Sequence, residues 1–223
     1  MFQVLSYSED DKSVYETSGV KRVLSRFRPL PDKLFIKKEI LFSACVTAAG
    51  AGIGLAAKAA DSVSLLGDIG TDLAIWVFLA SLIAACSRHP VIAAVNTLLF
   101  FAAVLGGYYI YGKAVLGFFP RAYFLGWLIV ALLSPIGGSI VWFARGEGLA
   151  GAVITAMPAG IIAAWSYPAF YTHSIVLILG IIEAAALCAL LPRGRKMKLA
   201  AAGMTAVAAV LINALGLLRL LPF

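Results

Sequence analysis

The sequence predicts an all-α protein, a polytopic transmembrane helical bundle of about seven spans. Of its 223 residues, 62% are hydrophobic and 13% are charged, whereas a soluble domain is about half apolar and a quarter charged. The mean hydropathy of +0.96 makes lipid the expected solvent. A span needs about 20 apolar residues, so roughly seven fit and no length remains for a second globular domain.

Charged or turn-forming residues separate the apolar runs and set the predicted spans. The spans cover residues 40–58, 73–87, 90–111, 122–143, 149–165, 174–191 and 199–218. The central run, Leu125–Trp142, is interrupted by Pro135, which follows Ser134. Proline has no amide hydrogen, and its ring crowds the carbonyl four residues earlier. We therefore expect this helix to kink where neighbouring helices cover it.

Residues 1–36 are expected to form a basic cytoplasmic tail, outside a seven-span domain of residues 37–223. There is no apolar run near Met1 of the kind that a secretory signal needs. From Ser18 to Pro29, apolar and basic residues are interleaved at helical spacing. Two interpretations stay open here: an amphipathic helix lying on anionic headgroups, or a solvated basic tail.

The positive charges predict the orientation of the bundle. With the N-terminus inside, fourteen Lys and Arg residues fall in cytoplasmic segments and four in outer ones. This bias is typical of inserted helices, and it places the C-terminus outside. The net charge of +7 therefore indicates anionic lipid as a partner and not nucleic acid.

The predicted outer connections carry acids and aromatic rings. Asp61, Asp68 and Asp72 lie in the first outer loop. We interpret them as solvated acids, with Thr71 or Asp72 capping the next helix; a cation funnel is the alternative. The rings are expected to form an interfacial belt. They are Tyr108, Tyr109, Tyr111, Phe118, Phe119, Tyr123, Trp165, Tyr167, Phe170 and Tyr171.

Spans five to seven resemble spans one to three at a nearly constant offset. VTAAGAGIGLAA (46–57) aligns with ITAMPAGIIAAW (154–165) at an offset of 108, and AAVL recurs at 102–105 and 208–211. The pattern suggests a 3+1+3 parallel repeat in which span four joins two three-helix units. Chance similarity between alanine-rich spans is the competing explanation.

Glu183 is the strongest candidate for a functional residue. It lies in the middle of span six, within GIIEAAALCALL, where a carboxylate must face the bundle interior or a wet cavity. It could serve as a proton or cation site or contact a polar ligand. Alternatively, it is a neutral carboxyl that hydrogen-bonds Asn96, Asn213, Thr155 or the carbonyl freed by Pro135.

The other candidate binding residues are polar groups or helix interruptions in the spans. Asn96 and Asn213 lie in spans three and seven, where a buried amide usually joins two helices. Pro158 interrupts span five as Pro135, beside Ser134, interrupts span four. Two interrupted helices near one buried acid are typical of a transport site, although kinks also occur without function.

Neither catalysis nor metal binding is predicted. Cys86 and His89 form a C-x-x-H with Cys188 at a similar depth, but three loosely spaced ligands are a weak pattern and we expect no metal. No nucleophile elbow, HExxH, phosphate loop, CxxC or intramembrane carboxylate pair is visible. No catalytic residue and no cofactor is therefore expected.

The run around Gly67–Gly148 carries a family resemblance. It contains LLGDIGTDLAIWVFLASLIAACSRHP and GGYYIYGKAVLGFFPRAYFLGWLIVALLSPIGGSIVWFARGEG. This run resembles a family of small bacterial multi-pass membrane proteins known only by a domain-of-unknown-function label. The resemblance implies a bacterial cytoplasmic (inner) membrane location and a single helical unit. It implies no activity.

Together these patterns favour a small-solute or ion permease, or its substrate-binding subunit, with a site between the Pro135 break and Glu183. The alternative is a non-transporting module: an accessory subunit of a partner membrane protein, an immunity-type protein or a lipid-interacting scaffold. An enzyme acting on lipid would need convergent polar residues at one interface, and the sequence does not provide them.

Overall fold

The computed structural model of the protein describes residues 27–29, 36–61, 63–117, 119–172 and 174–220. Within these ranges the chain is helical and contains no β-strand. The α-helices are α1 (Ile36–Ala60), α2 (Ser64–Thr71), α3 (Leu73–Cys86), α4 (Pro90–Leu116), α5 (Arg121–Val141), α6 (Gly148–Ser166), α7 (Ala169–Thr172), α8 (Ile175–Leu190) and α9 (Arg195–Ala214). The amphipathic helix expected from Ser18 lies, apart from its last residues, outside the described ranges.

Five helical segments are long and apolar enough to cross a bilayer. They are Lys37–Ala60, Pro90–Leu116, Arg121–Arg145, Gly148–Thr172 and Arg195–Ala214. Their length and composition support the coarse prediction of a multi-pass helical membrane protein. Helices α3 and α8 are apolar but have 14 and 16 residues, or about 21 and 24 Å against a hydrocarbon core of about 30 Å. The count of seven spans therefore stays a prediction.

The outward faces of the helices are apolar. Leu132, Leu133 and Ile136 on α5 are each more than half exposed, as are Val207 and Val210 on α9. Soluble proteins rarely expose contiguous patches of this kind, whereas lipid contact favours them.

Helix α3 lies between two halves of the bundle. On one side α1 packs along α4, which in turn packs along α5; on the other side α6 packs against both α8 and α9. Helix α3 contacts α4, α5, α6 and α8. Its Trp76 joins one buried cluster with Phe100 and Phe101, while its Ala74 joins a second cluster with Ile162. The position of α3 places the residues along it in contact with both halves of the bundle.

Close contact between α1 and α4 depends on small residues. A β-carbon at Gly50 would lie 2.8 Å from the Phe100 carbonyl oxygen. One turn later, a β-carbon at Gly54 would overlap the Val104 carbonyl. The Gly-x-x-x-Gly face of span one is therefore a packing surface for α4, as such faces are in many membrane helices.

Pro135 is accommodated inside a continuous helix. Helix α5 runs from Arg121 to Val141 with Pro135 in its interior. The carbonyl that loses its amide partner is that of Ala131, and the Ser134 hydroxyl donates to it at 2.8 Å. A local hydroxyl thus satisfies the freed carbonyl, which is a common solution within membrane helices.

The bundle has two ends, which we name for features located there. The α2 end contains Lys58, Asp72, Tyr108 and Trp165. The Arg28 end contains the last turn of α3 and the 3-10 turn Trp142–Arg145 that follows α5.

Candidate functional site

A cavity of about 400 Å³ opens between α3, α4, α5 and α6 at the α2 end. This volume is within the range of small-molecule sites. The lining consists almost entirely of aromatic and aliphatic side chains. The lining residues are Gly70, Leu73, Trp76, Phe101, Val104, Leu105, Tyr108, Tyr109, Pro120, Tyr123, Trp127 and Trp165. We call this space the aromatic cavity.

Trp165 connects the aromatic cavity to an acid. Its ring lines the cavity, and its indole Nε1–H donates a hydrogen bond to Oδ1 of Asp72. Asp72 is the residue that precedes α3, and its side chain is half-buried between helices. Burial raises the pKa of Asp72, and the hydrogen bond from Trp165 opposes this shift.

Glu183 lies behind this pair. Its side chain on α8 is 5% exposed, and Oε2 has no hydrogen-bond partner among the described residues. Helix α8 packs against α3. Gly180, one turn before Glu183, lies against Ala74, which is two residues after Asp72. The sequence showed no pair of intramembrane carboxylates, but the fold brings these two acids to the same contact between α3 and α8.

A second unpartnered polar atom lies near Glu183. Ser166, at the C-terminal end of α6, is fully buried, and its Oγ has no hydrogen-bond partner in the described part of the chain. It packs directly on Gly180 of α8, where any β-carbon would overlap Ser166 Oγ. Gly180 lies one helical turn from Glu183. Unpaired buried polar groups are rare in folded proteins and often mark sites that bind water, ions or ligands.

The opposite wall of the cavity carries an ion pair. Lys58 Nζ lies 2.6 Å from Asp61 Oδ2 and 4.7 Å from the centre of the Tyr108 ring. The Tyr108 hydroxyl donates to the same Asp61 oxygen at 3.0 Å. Two of the three acids expected to be solvated loop residues thus hold aromatic side chains of the cavity in place: Asp61 holds Tyr108, and Asp72 holds Trp165.

None of the other sequence-predicted site residues lines the aromatic cavity. Asn96 is fully buried; its Oδ1 accepts from Ser43 Oγ at 2.6 Å, and its Nδ2 donates to Ser87 Oγ at 3.1 Å. Asn213 donates to the Ala164 carbonyl at 3.2 Å. Both amides thus join helices, as one of the two interpretations predicts.

The helix interruptions are also remote from the cavity lining. Ser134 satisfies the carbonyl freed by Pro135, as described above, and Pro158 is buried inside α6. Thr155, the last partner considered for Glu183, donates to the Gly151 carbonyl at 2.8 Å. All four predicted structural partners of Glu183 are therefore engaged with other groups.

Sequence reasoning gave Asp72 only as a solvated acid, a helix cap or part of a cation funnel, and it did not predict the aromatic cavity. Asp72 has the sequence context of a helix cap, and only the packing of α3 against α6 and α8 reveals its neighbours. The aromatic residues were identified, but as a membrane belt. In the described residues, no three His, Cys, Asp or Glu side chains lie close enough together to bind a metal ion.

The Arg28 end has a polar cluster of its own. The Arg28 guanidinium stacks on the Trp142 ring at 4.1 Å and donates to the carbonyls of Ala85, at 3.3 Å, and Trp142. Burial, and then the charges of Arg145 and Arg193, lower the pKa of Arg28 to about 10. The guanidinium stays charged at neutral pH and satisfies carbonyls that a helix end leaves without amide partners.

Comparison of the chain with protein-family models, curated protein sequences and solved structures gives no match. The functional assignment therefore depends on the arrangement of residues alone.

Proposed function

We propose that the protein is a permease of a bacterial inner membrane, or the substrate-binding subunit of one, and that the aromatic cavity holds its small solute. One observation carries the proposal: Trp165 lines the cavity and at the same time donates to Asp72, which precedes α3, the helix against which α8 and its buried Glu183 pack. A solute in the cavity would thus contact the first member of a chain that ends at two acids.

The two acids would couple solute binding to a proton or a small cation. A carboxyl group held away from water favours its protonated form, and a second carboxylate nearby strengthens that preference. A solute against the Trp165 ring would change the proton affinity of these acids through the hydrogen bond from Trp165 to Asp72. Solute binding would then release or take up a proton, and by linkage the proton would change the solute affinity by the same factor.

This proposal places the solute site nearer the α2 end than the sequence-based prediction did. Glu183 keeps its role as the buried acid. Asn96, Asn213, Ser134, Pro135 and Pro158 act as structural residues because each of the three polar side chains has a protein partner and the two prolines are held within helices.

We also propose seven spans, with α3 and α8 as short inner spans, the N-terminus inside and the C-terminus outside. The 3+1+3 repeat is supported by the pairing of α1 with α4 and of α6 with α9, and by the shortness of the middle helix in each trio. Reporter fusions after residue 146 and after residue 223 test the seven spans and their orientation. We expect a cytoplasmic reporter at 146 and an outer reporter at 223. Two reporters on the same side of the membrane would refute the seven-span arrangement.

The alternative is a non-transporting accessory, immunity-type or lipid-interacting module. One observation favours it: Glu183 is not among the residues that line the aromatic cavity, so a solute in the cavity would not contact this acid directly. In that case Asp72 and Glu183 would only hold α3 and α8 together.

The test measures ligand binding and the accompanying proton exchange in the purified full-length protein. A panel of small solutes is screened for thermal stabilisation, where a ligand at 100 times its Kd adds about 2.7 kcal/mol. Titration calorimetry of each hit, in buffers of different ionisation enthalpy, then counts the protons released or taken up. We expect Glu183→Gln and Trp165→Phe to bind the solute but lose the proton exchange.

Trp76→Phe is the matched control. It removes the indole donor of another cavity tryptophan, which bonds the Gly70 carbonyl at 3.2 Å and not an acid. It should therefore retain the proton exchange. The proposal fails if no solute stabilises the protein, or if Trp165→Phe and Glu183→Gln exchange as many protons as the wild type.

A further inference from the structure

We propose that the solute bound in the aromatic cavity is an organic cation, a quaternary or aromatic ammonium compound. This inference rests on the proposed function of the cavity as a solute site and adds its substrate class. Three features support it: the density of electron-rich rings, the sign of the nearby charges and the volume of the cavity.

The rings provide the main attraction for a cation. Seven of the twelve lining residues are aromatic, and three of these are tryptophans. The face of an indole or phenol ring carries negative charge density, and indole attracts cations most strongly. Cages of several such rings are the usual way in which proteins recognise quaternary ammonium groups.

A positively charged side chain of the protein already contacts one of these rings. Lys58 Nζ lies 4.7 Å from the centre of the Tyr108 ring, within the range of a cation–π contact. Asp61 neutralises this ammonium group at 2.6 Å. Lys58 therefore adds little repulsion toward a second cation in the cavity.

The lining residues include no Lys and no Arg, and two of them, Tyr108 and Trp165, donate hydrogen bonds to acids. Trp165 donates its indole N–H to Asp72, which increases the electron density of the ring that the solute would contact. Glu183 lies behind Asp72, so an anionic solute would be repelled from the site.

The cavity volume of about 400 Å³ accommodates a phenyl ring together with a trimethylammonium group. Such a cation could be a free solute or the ammonium headgroup of a lipid. We assign the cavity to a free solute, because the lining has no basic residue to pair with the phosphate that accompanies a lipid headgroup.

Isosteric probes of different charge test the inference on the wild-type protein in detergent. Benzyltrimethylammonium is compared with its uncharged isostere 2,2-dimethylpropylbenzene and with benzenesulfonate. We expect the cation to bind about tenfold or more tightly than the neutral isostere, and the anion not to bind. If the neutral isostere binds equally well, the cation assignment is wrong, although a cavity site for a solute would survive. If no probe binds, both proposals fail.

Charge variants identify the acid responsible. Asp72→Asn should lower the affinity for the cation about tenfold and change the affinity for the neutral isostere by less than about twofold. Asp68→Asn is the matched control, because Asp68 is an exposed acid in α2 that does not line the cavity. Equal effects of Asp72→Asn and Asp68→Asn on the cation would overturn the assignment.

Ring variants and lipid nanodiscs complete the test. Trp127→Leu should reduce cation binding and spare the neutral isostere, whereas Tyr171→Leu, an exposed ring outside the lining, should change neither. In nanodiscs of phosphatidylglycerol with or without phosphatidylethanolamine, the cation should bind equally well. Competition by phosphatidylethanolamine would overturn the free-solute assignment and identify a headgroup site.

Discussion

The contact between Ser166 and Gly180 offers a quantitative test of how α6 and α8 meet beside the acids. In Gly180→Ala the new methyl group would overlap Ser166 Oγ, and it would lie 3.1 Å from Ser166 Cβ and 3.2 Å from Ala74 Cβ. Overpacking of this kind costs about 1–3 kcal/mol. The better helix propensity of alanine returns up to about 1 kcal/mol. We expect a net loss of about 1–2 kcal/mol of unfolding free energy.

Removal of the hydroxyl should have the opposite effect. Ser166 Oγ is buried without a partner, and an unsatisfied buried polar atom costs about 1–3 kcal/mol. Ser166→Ala should therefore leave the stability unchanged or raise it. In the Gly180→Ala, Ser166→Ala double variant, the remaining contacts of 3.1 and 3.2 Å require only small shifts. The two substitutions should therefore show a favourable coupling of about 1–2 kcal/mol.

The double-mutant cycle is measured by reversible SDS unfolding or by steric trapping in bicelles. Gly203→Ala is the control, because a β-carbon at this α9 position would meet no atom within 4 Å, so it should not lower the stability. The reasoning is refuted if Gly180→Ala is as stable as Gly203→Ala. It is also refuted if Ser166→Ala destabilises the protein, since that would mean that the hydroxyl has a partner.

Three further predictions concern the polar groups at other positions. Asn96→Ala should lower the unfolding free energy by about 1–3 kcal/mol, because it breaks two buried interhelical hydrogen bonds; in SDS unfolding, the exposed Asn213→Ala should cost less than half as much, and an equal cost would contradict the assignment. Arg28→Ala should lower the melting temperature in neutral detergent solution by several degrees, since the carbonyls of two helix ends lose their donor, whereas Arg145→Ala, which removes an exposed guanidinium, should leave it unchanged or raise it. Burial raises the pKa of Asp72, so the folded state binds this proton more tightly than the unfolded state, and stability should fall as pH rises from the ordinary pKa to the raised one. Asp72→Asn should flatten that slope in melting curves recorded across acidic to neutral pH; an unchanged slope would show that another group causes it.

The positions of the helices could be predicted because the ends of the apolar runs carry strong local signals. Pro90 begins α4 as expected, since its missing amide hydrogen is not needed at the first helical position. The first span, predicted from residue 40, lies inside helix α1, which begins at Ile36. The helix starts before the apolar run because Lys37, Lys38 and Glu39 favour a helix even though they lower the local hydropathy.

The candidate site was only partly predictable. A carboxylate inside an apolar run must be buried against protein, so Glu183 could be identified from its sequence neighbours alone. Asp72 could not, because its loop context is the same whether it faces water or the α6–α8 interface. The carbonyl freed by Pro135 was expected to be covered by neighbouring helices, whereas Ser134, the residue next to Pro135, donates to it.

The docking of Arg28 has a consequence for how the protein is made. Its guanidinium bonds a carbonyl 57 residues later, at Ala85, and another 114 residues later, at Trp142. During synthesis the N-terminal segment leaves the ribosome long before either partner exists. Arg28 must remain on one side of the membrane until α5 has been inserted, and its docking can then close that side of the bundle. An N-terminal fusion that pulls Arg28 away would therefore yield an inserted but incompletely locked protein, which protease digestion from that side would reveal.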